Sequence, residues 1–406
     1  MTADSNQVST LADHVRRHRA GSAWTDRGTA ELVSGGPGGW PLSVRCHRRA
    51  IELLSGLPVG ENISYLADLG AAWVNLGCAL QAGPSPESVA EALPAFDRAI
   101  ELLEHLPITS HPRFRHNLAA AWMNRAEAMV RTDTASSRVG ALQAYGRAIE
   151  IARELPLDEK PSFRILLASC WINRGNLLQR LSHFSEAVPA YDEALAALGN
   201  LPKSCHRLAC HHAATAWTNR GEACLRLDSR DGAEQAVDSA SMALAQVEGR
   251  DLGGPADAKL SLRALRLMTG GLESLLFGGG PGQNPDRVAA LTDVAERGIN
   301  LALGCRDRAP ELFDPFIAWF FSRGSRVYGS CQPQFLAEFI EEVLQCRNSR
   351  ANPAVEAKLR ATARQALAKV LPGLCRNRLI IEGTPATELL LRTVHRLRAA
   401  AASLNS

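Results

Sequence analysis

Apolar residues recur along most of this chain at the three- and four-residue intervals of an α-helical face. In the segment 112–151 two such faces follow one another, formed by Leu118, Trp122, Met129 and Val130 and then by Leu142, Tyr145, Ile149 and Ile151. This spacing predicts two amphipathic helices rather than strands. Pro112 and Pro161 precede tryptophans by about ten residues, and proline is tolerated in the first helical turn, so we expect helices to begin there.

The helical pattern is periodic. A tryptophan followed two residues later by Asn or Asp recurs five times, with intervals of 49, 49, 49 and 46 residues, at Trp24, Trp73, Trp122, Trp171 and Trp217. Glycine or alanine follows four residues after each tryptophan, and a Leu-Pro pair closes the first four units. Segments 34–39, 82–85 and 131–137 have the composition of the turn between two helices. A fixed period of this size predicts stacked helix pairs that bury their apolar faces on one another.

Composition agrees with a folded cytoplasmic protein. The 406 residues are 46% apolar and 21% charged, with a formal net charge of +3, which excludes disorder. The ten cysteines include no C-x-x-C pair and are expected to be reduced core residues. We find neither a signal peptide nor an apolar run long enough to cross a bilayer. Arginine far outnumbers lysine, which is typical of a GC-rich bacterial genome.

The repeats resemble the tetratricopeptide repeat. In the fourth unit Trp171 and Gly175 are followed by Leu178, and then by the second-helix residues Ala187, Tyr191 and Ala194. These match the family's succession of tryptophan, glycine and small and aromatic residues. We expect the tryptophan to supply a large buried area between helices, and the glycine, or the small Ala126 in its place, to let the partner helix approach closely. Two features depart from the family's pattern: the family's usual period is 34 residues, and Arg replaces its leucine before the glycine in most units. The resemblance implies an all-α fold, a tetratricopeptide-like superhelical array of antiparallel helix pairs (an α-solenoid).

The period weakens towards the C-terminus. We therefore expect five helix-pair repeats in residues 1–249, and divergent helical repeats with capping helices in 250–406. Segments 267–271 and 320–324 are candidate degenerate copies. From Arg347 onwards the sequence has 11 basic residues and only three Glu. This excess of positive charge favours either a solvated helix surface or association with nucleic acid through 347–406.

The polar residues that follow each tryptophan are the candidate site. In the family, an asparagine at this repeat position commonly points into a groove lined by the first helices. The resemblance thus implies a peptide-binding groove formed by Asp26, Asn75, Asn124, Asn173 and Asn219, with Arg125, Arg174 and Arg220 beside them. Carboxamides can bond both the N–H and the C=O groups of an extended peptide. The alternative is that each Asn bonds the neighbouring repeat and fixes its stacking. Similarly, the arginines either recognise carboxylates or form surface ion pairs with residues such as Glu127 and Glu222.

The sequence contains no recognisable catalytic or cofactor motif. The cysteines and histidines of 205–212 have no strong zinc spacing, and we predict neither metal nor cofactor. The expected function is that of a non-enzymatic scaffold or adaptor that binds a protein or an extended peptide. The alternatives are a peptide-responsive regulator of a partner protein, or the nucleic-acid association named above. Tetratricopeptide transcriptional sensors carry an N-terminal helix-turn-helix, for which the residues before Trp24 are too few.

Overall fold

The computed structural model describes residues 2–35, 38–199, 206–247, 255–277 and the single residue Val294. These ranges form α-helices and contain no strand, which confirms the all-α fold class. The helices are α1 (Thr2–Ser34), α2 (Gly39–Ser55), α3 (Ile63–Gln81), α4 (Pro86–Glu104), α5 (Pro112–Thr132), α6 (Ala135–Arg153), α7 (Pro161–Arg180), α8 (Phe184–Leu198), α9 (His206–Arg226), α10 (Arg230–Val247) and α11 (Pro255–Phe277).

The chain divides into two compact units, 1–223 and 224–406, and the division falls inside α9. The boundary expected at residue 249 therefore stays a prediction. The candidate repeat copy at 320–324 and the basic segment 347–406 lie outside the described residues. The candidate copy at 267–271 lies within α11, and this stretch packs on α10: a Cβ added to Gly271 would meet Val237 Cγ2 at 2.7 Å.

Prolines and capping residues in the sequence mark where several of the helices begin. Pro112 and Pro161 occupy the first positions of α5 and α7, as predicted. Thr134 caps α6, because its Oγ1 accepts a hydrogen bond from Ser137 N (3.1 Å) while Ser137 Oγ accepts one from Thr134 N (2.9 Å). The turn expected at 131–137 is consequently wrong in extent. Only 133 and 134 separate the two helices, since the serines that indicated a loop belong to the first turn of α6.

Helices pair in the order of the chain within the first unit. The tryptophan-bearing helices are the first helices of their repeats, and each of them packs on the second helix that follows: α1 on α2, α3 on α4, α5 on α6, and α7 on α8. Second helices then pack on the next first helix, as α4 does on α5. Successive first helices are also in contact, α1 with α3, α3 with α5, and α5 with α7. Residues of neighbouring first helices therefore meet on one surface.

In the second and fourth repeats an aromatic ring of the second helix lies against a glycine of the first helix. A Cβ added to Gly77 would lie 2.5 Å from the ring of Phe96, and one added to Gly175 would lie 2.7 Å from the ring of Tyr191. Both rings are completely buried. The close approach that the sequence predicted at these glycines is therefore confirmed. The histidine of the first repeat, His47, occupies the same place against Gly28.

The tryptophans contribute less to the core than expected. All five are only half-buried, and those with assigned clusters pack against the edges of buried groups rather than inside them. An arginine three residues on covers the exposed ring face in four repeats, at 5.4 to 5.8 Å from the ring centroid, in the pairs Trp24–Arg27, Trp122–Arg125, Trp171–Arg174 and Trp217–Arg220. The fully buried aromatic residue is the one on the second helix, and the tryptophan lies at the edge of the buried cluster.

One helix of the described ranges, α3, has the length and hydropathy of a membrane span. This differs from the expectation that no such run exists, and the cause is the large number of Ala, Leu and Gly residues in α3. Half of the apolar stretch is buried, and α3 packs on α2, α4 and the neighbouring first helices. Its apolar character is accounted for by these contacts.

Candidate functional site

Two positions of each first helix meet at the junctions between repeats. We call the second residue after each tryptophan the amide position and the fifth residue the linking position. The amide positions are Asp26, Asn75, Asn124, Asn173 and Asn219, and the linking positions are Thr29, Cys78, Glu127, Asn176 and Glu222. Together they form what we call the first-helix face. Asp26 is exposed, Asn219 is buried, and the other three asparagines are half-buried.

Two asparagines bond the preceding repeat. Asn219 Nδ2 donates to Oδ1 of Asn176 at 2.8 Å, and Tyr191 Oη lies 2.9 Å from the same oxygen. Asn124 Nδ2 donates to Cys78 Sγ at 3.3 Å. In each case an amide position of one repeat contacts the linking position of the repeat before it. At these two junctions the asparagines make the contact that the alternative interpretation requires, a hydrogen bond to the neighbouring repeat.

The other two asparagines differ. Within the described ranges Asn75 and Asn173 make no side-chain hydrogen bond, although both are half-buried. Thr29 stands at the linking position opposite Asn75, and Glu127 stands opposite Asn173. The five positions are therefore not an equivalent ladder, since two amides bond the preceding repeat and two make no side-chain hydrogen bond in the described ranges.

Glu127 brings a negative charge to the middle of the first-helix face. It is exposed to water, yet enough protein surrounds its carboxyl group for burial to raise the pKa, an effect that nearby Arg131 opposes. Its charge adds to the effect of burial in raising the pKa of the Cys78 thiol to about 12, and it also helps to raise the pKa of Tyr145. Among described residues Glu127 has neither a hydrogen bond nor an ion pair.

The arginines next to the asparagines point to the preceding second helix. Arg125 Nε lies 2.6 Å from Asp97 Oδ1, and Arg220 Nε lies 2.6 Å from Asp192 Oδ1. Arg125 thus pairs with Asp97 rather than with Glu127, which the sequence suggested. Arg174 has no carboxylate partner in the described part of the chain and contacts the ring of Trp171 instead, at 5.7 Å.

A signal in the sequence could have found these pairs. Asp97 and Asp192 each lie 28 residues before the arginine that they bind, directly after the buried aromatic of the second helix. The residue 28 positions before Arg174 is Gly146. Alignment of second helices as well as first helices would have separated the paired arginines from the unpaired one.

The described residues contain no group of three or more His, Cys, Asp or Glu side chains that could hold a metal ion. Of the cluster at 205–212, His211 and His212 lie edge to face with ring centroids 6.3 Å apart. Burial lowers the pKa of His212, with a smaller contribution from His211. Cys205 and the side chain of His206 lie outside the described residues.

The fold and this face together define an all-α helical-repeat protein with stacked helix pairs. Comparison with protein-family models and with curated proteins finds no match. Solved structures do resemble the chain. BtubC (BKLC) from P. vanneervenii is 15% identical, with a TM-score of 0.49, over 65% of this chain and 91% of that one. The apo form of RapI is 11% identical, with a TM-score of 0.43, over 96% and 98% of the two chains.

A tetratricopeptide-containing structure is also similar. It is the TPR2AB domain of yeast Sti1 in its complex with pHSP90, 13% identical with a TM-score of 0.21, over 72% of this chain and 96% of that one. Identities and scores of this size carry no argument about function. Because no family model matches, the tetratricopeptide assignment stays a resemblance.

Proposed function

We propose that this chain is a non-enzymatic helical-repeat scaffold that binds an extended segment of a partner protein along the first-helix face. The observation that carries the proposal is the unequal use of the asparagines. Asn124 and Asn219 bond the preceding repeat, whereas Asn75 and Asn173 keep their amide groups unbonded within the described residues. The fold is built with two of these amides, and the other two are left for a ligand.

The chemistry of the free amides fits an extended backbone. Each carboxamide offers two donors and an acceptor with two lone pairs, so it can pair with both the N–H and the C=O of one peptide unit. A half-buried amide without a partner is less well solvated than an exposed one, and a peptide that satisfies it recovers that loss. Asn75 on α3 and Asn173 on α7 lie two repeats apart, with α5 between them, so a segment that reaches both would cross α3, α5 and α7.

Glu127 adds a preference in charge. It lies on α5, between the helices that carry the two free amides, and among the described residues its carboxylate has no hydrogen bond or ion pair, although Arg131 interacts with it electrostatically. A basic side chain of the bound segment would form a direct ion pair with it. This interaction weakens as acid protonates Glu127, and the raised pKa of its carboxyl group brings that loss to a higher pH than for an ordinary glutamate.

The test uses random peptides displayed on phage and selected on the full-length protein, followed by fluorescence-polarisation titration of the enriched peptides. The double variant Asn75→Ala/Asn173→Ala should weaken binding about tenfold or more, since two to four neutral hydrogen bonds are lost. Its thermal unfolding midpoint should be unchanged, because neither amide makes a hydrogen bond to another repeat in the described residues. Glu127→Gln should selectively weaken those peptides that carry a basic residue.

The matched control is Asn124→Ala/Asn219→Ala, which removes the same chemical groups from the same repeat position. It should lower the unfolding midpoint, and at temperatures well below that midpoint it should keep peptide affinity. The proposal is wrong if no peptide is enriched on the wild-type protein. It is equally wrong if the enriched peptides bind the Asn75→Ala/Asn173→Ala variant with undiminished affinity.

A further inference from the structure

An arginine–carboxylate link recurs between the first helix of one repeat and the second helix of the repeat before it. It joins Arg125 to Asp97 and Arg220 to Asp192, with the same 2.6 Å distance from Nε to Oδ1 and the same separation of 28 residues. The repetition of both distance and separation shows that the link is a property of the repeat geometry rather than an accident of one surface.

The junction between the third and fourth repeats lacks the carboxylate but keeps the arginine. Gly146 occupies the place of Asp97 and Asp192, one residue after the buried Tyr145. A Cβ built on Gly146 would have no heavy atom within 4 Å, so the place that an aspartate side chain would fill is open space. Arg174 has no other acidic partner in the described ranges.

The Arg174 guanidinium nevertheless holds the pose of its paired counterparts. Its Cζ lies 5.7 Å from the centroid of the Trp171 ring, between the 5.6 Å of Arg125 over Trp122 and the 5.8 Å of Arg220 over Trp217. Stacking on the indole therefore positions the guanidinium without help from a carboxylate. A site that is already arranged loses less entropy when a ligand binds.

This junction also has a second cation. Arg153, the last residue of α6, places its guanidinium 5.0 Å from the centroid of the same Trp171 ring. The equivalent positions of the second and fourth repeats carry Glu104 and Gly199, so the additional positive charge belongs to this junction and not to its neighbours. Arg153 shares its charge with Glu193, at 3.2 Å, which leaves Arg174 as the unneutralised cation of the pair.

We propose that Arg174 binds a carboxylate of the partner segment, which takes the place beside α6 that Asp97 and Asp192 fill at the neighbouring junctions. The inference rests on the proposed function, because it assigns to the bound segment an acidic group next to the stretch held by Asn173. An aspartate or glutamate side chain and a chain terminus present the same carboxylate chemistry. A guanidinium binds either one through parallel N–H donors.

The experiment follows the ¹⁵N-labelled arginine Nε–Hε signals of the full-length protein during titration with short peptides. The probes are Ac-Ala-Ala-Asp-Ala-Ala-NH₂, the neutral analogue with Asn in place of Asp, and Ac-Ala-Ala-Ala-Ala-Ala with a free C-terminal carboxylate. The Arg174 signal should shift saturably with at least one of the acidic probes and not with the neutral one. The acidic probe that saturates at the lower concentration identifies the source of the carboxylate.

Gly146→Asp is the decisive variant. It restores the missing aspartate, and it should move the Arg174 signal towards those of Arg125 and Arg220 and lower probe affinity about tenfold. Gly146→Asn, with the same shape and no charge, should leave affinity unchanged, and so should Arg125→Gln, which removes an arginine that is already paired. Because Arg174→Gln removes the Arg174 signal itself, this variant is followed through the backbone amide of residue 174, which should shift saturably with the acidic probe in the wild type and not in the variant.

Two results would overturn the inference: an Arg174 signal that moves no more than those of exposed arginines such as Arg98, or equal probe affinity in the wild type and Gly146→Asp. Neither depends on the asparagines. A failure of peptide selection on the first-helix face combined with a saturable Arg174 response would refute the proposed function and keep the carboxylate site. Successful peptide selection on the first-helix face without a saturable Arg174 response would keep the proposed function and refute the carboxylate site.

Discussion

The junction between repeats two and three and the junction between repeats three and four have the same helices in the same order but differ in their polar contacts. At the former, Asn124 bonds Cys78 and Arg125 binds Asp97. At the latter, neither Asn173 nor Arg174 has a corresponding partner in the described residues. Apolar packing continues through both, with Leu103 of α4, Leu118 of α5, Ile149 of α6 and Phe163 of α7 in one buried cluster. The difference teaches that apolar packing is continuous across both junctions, whereas the polar links between repeats are present at one junction and absent at the other.

The energies make this exchange possible. A partly exposed ion pair such as Arg125–Asp97 contributes about 0 to 1 kcal/mol, and a neutral hydrogen bond about 0.5 to 1.5 kcal/mol. A buried aromatic ring such as Phe96 contributes several times as much, since its truncation to Ala typically costs about 3 to 5 kcal/mol. A junction can therefore lose both polar links and still stack.

The largest expected effect is a loss of stability in acid in the first repeat, where a histidine takes the place of the buried aromatic ring. His47 is 1% exposed, and burial lowers its pKa from 6.5 to about 4. The folded protein keeps it neutral, while the unfolded chain takes up a proton below pH 6.5. Stability is therefore complete above pH 6.5 and falls as the pH drops towards 4, by about 3 kcal/mol. Hydrogen exchange in α1 and α2 at pH 7.5 and 4.5 would measure it.

His47→Phe should remove this part of the acid sensitivity, because phenylalanine occupies the same place in the second repeat. Exposed His105→Gln should not. Equal losses of stability in acid for His47→Phe and the wild type would show that the buried histidine is not the titrating group.

The second effect compares the change in stability when each of two helical glycines is replaced by alanine. Gly175→Ala should lower the free energy of unfolding by about 1 to 3 kcal/mol, because its Cβ would enter the space of the fully buried Tyr191. Gly146→Ala should raise it by about 0.4 to 1 kcal/mol, because its Cβ meets open space and alanine favours the helix. Urea denaturation followed by circular dichroism measures both. A destabilising Gly146→Ala would contradict the open site beside Arg174.

A third, smaller effect compares the asparagines directly. Asn219→Ala should cost about 1 to 2 kcal/mol, since Asn219 is buried and bonds Asn176. Asn173→Ala should change stability by less than about 0.5 kcal/mol, as substitutions away from such bonds usually do. Thermal melts of the two single variants decide the matter. Similar costs would mean that Asn173 also fixes stacking, and the proposed face would lose a member.

The smallest expected effect is the gain in stability when an aspartate is placed at position 146, opposite Arg174. Relative to Gly146→Asn, the variant Gly146→Asp should be more stable by about 0.2 to 1 kcal/mol, the range for exposed ion pairs, and the difference should shrink in high salt. Urea denaturation at low and high ionic strength measures it. A salt-independent difference would mean that the new aspartate does not reach Arg174.

Much of the fold could be predicted from local signals. Pro112 and Pro161 begin helices because proline is well tolerated in the first turn, where its missing N–H costs no hydrogen bond. The small residue after each tryptophan indicated close approach of the second helix, because a larger side chain would not fit there. The burial of the tryptophans was overestimated. An indole can pack its edge on the core while its face stays at the surface under an arginine, as Trp122 does under Arg125, and the sequence does not distinguish that from full burial.

The sequence predicted which positions make up the candidate site. It did not predict which of their asparagines and arginines bond the preceding repeat. The sequence by itself determined the helices, their pairing and their period, because these depend on repeated apolar, glycine and proline residues that act over a few turns. Only the tertiary structure decided which polar groups are used, since Asn124 and Asn173 share the sequence context Trp-x-Asn-Arg and differ in their hydrogen bonds to the preceding repeat. The residues that bond Asn124 and Arg125 are Cys78 and Asp97, which lie dozens of residues away along the chain and are brought to them only by the repeat geometry.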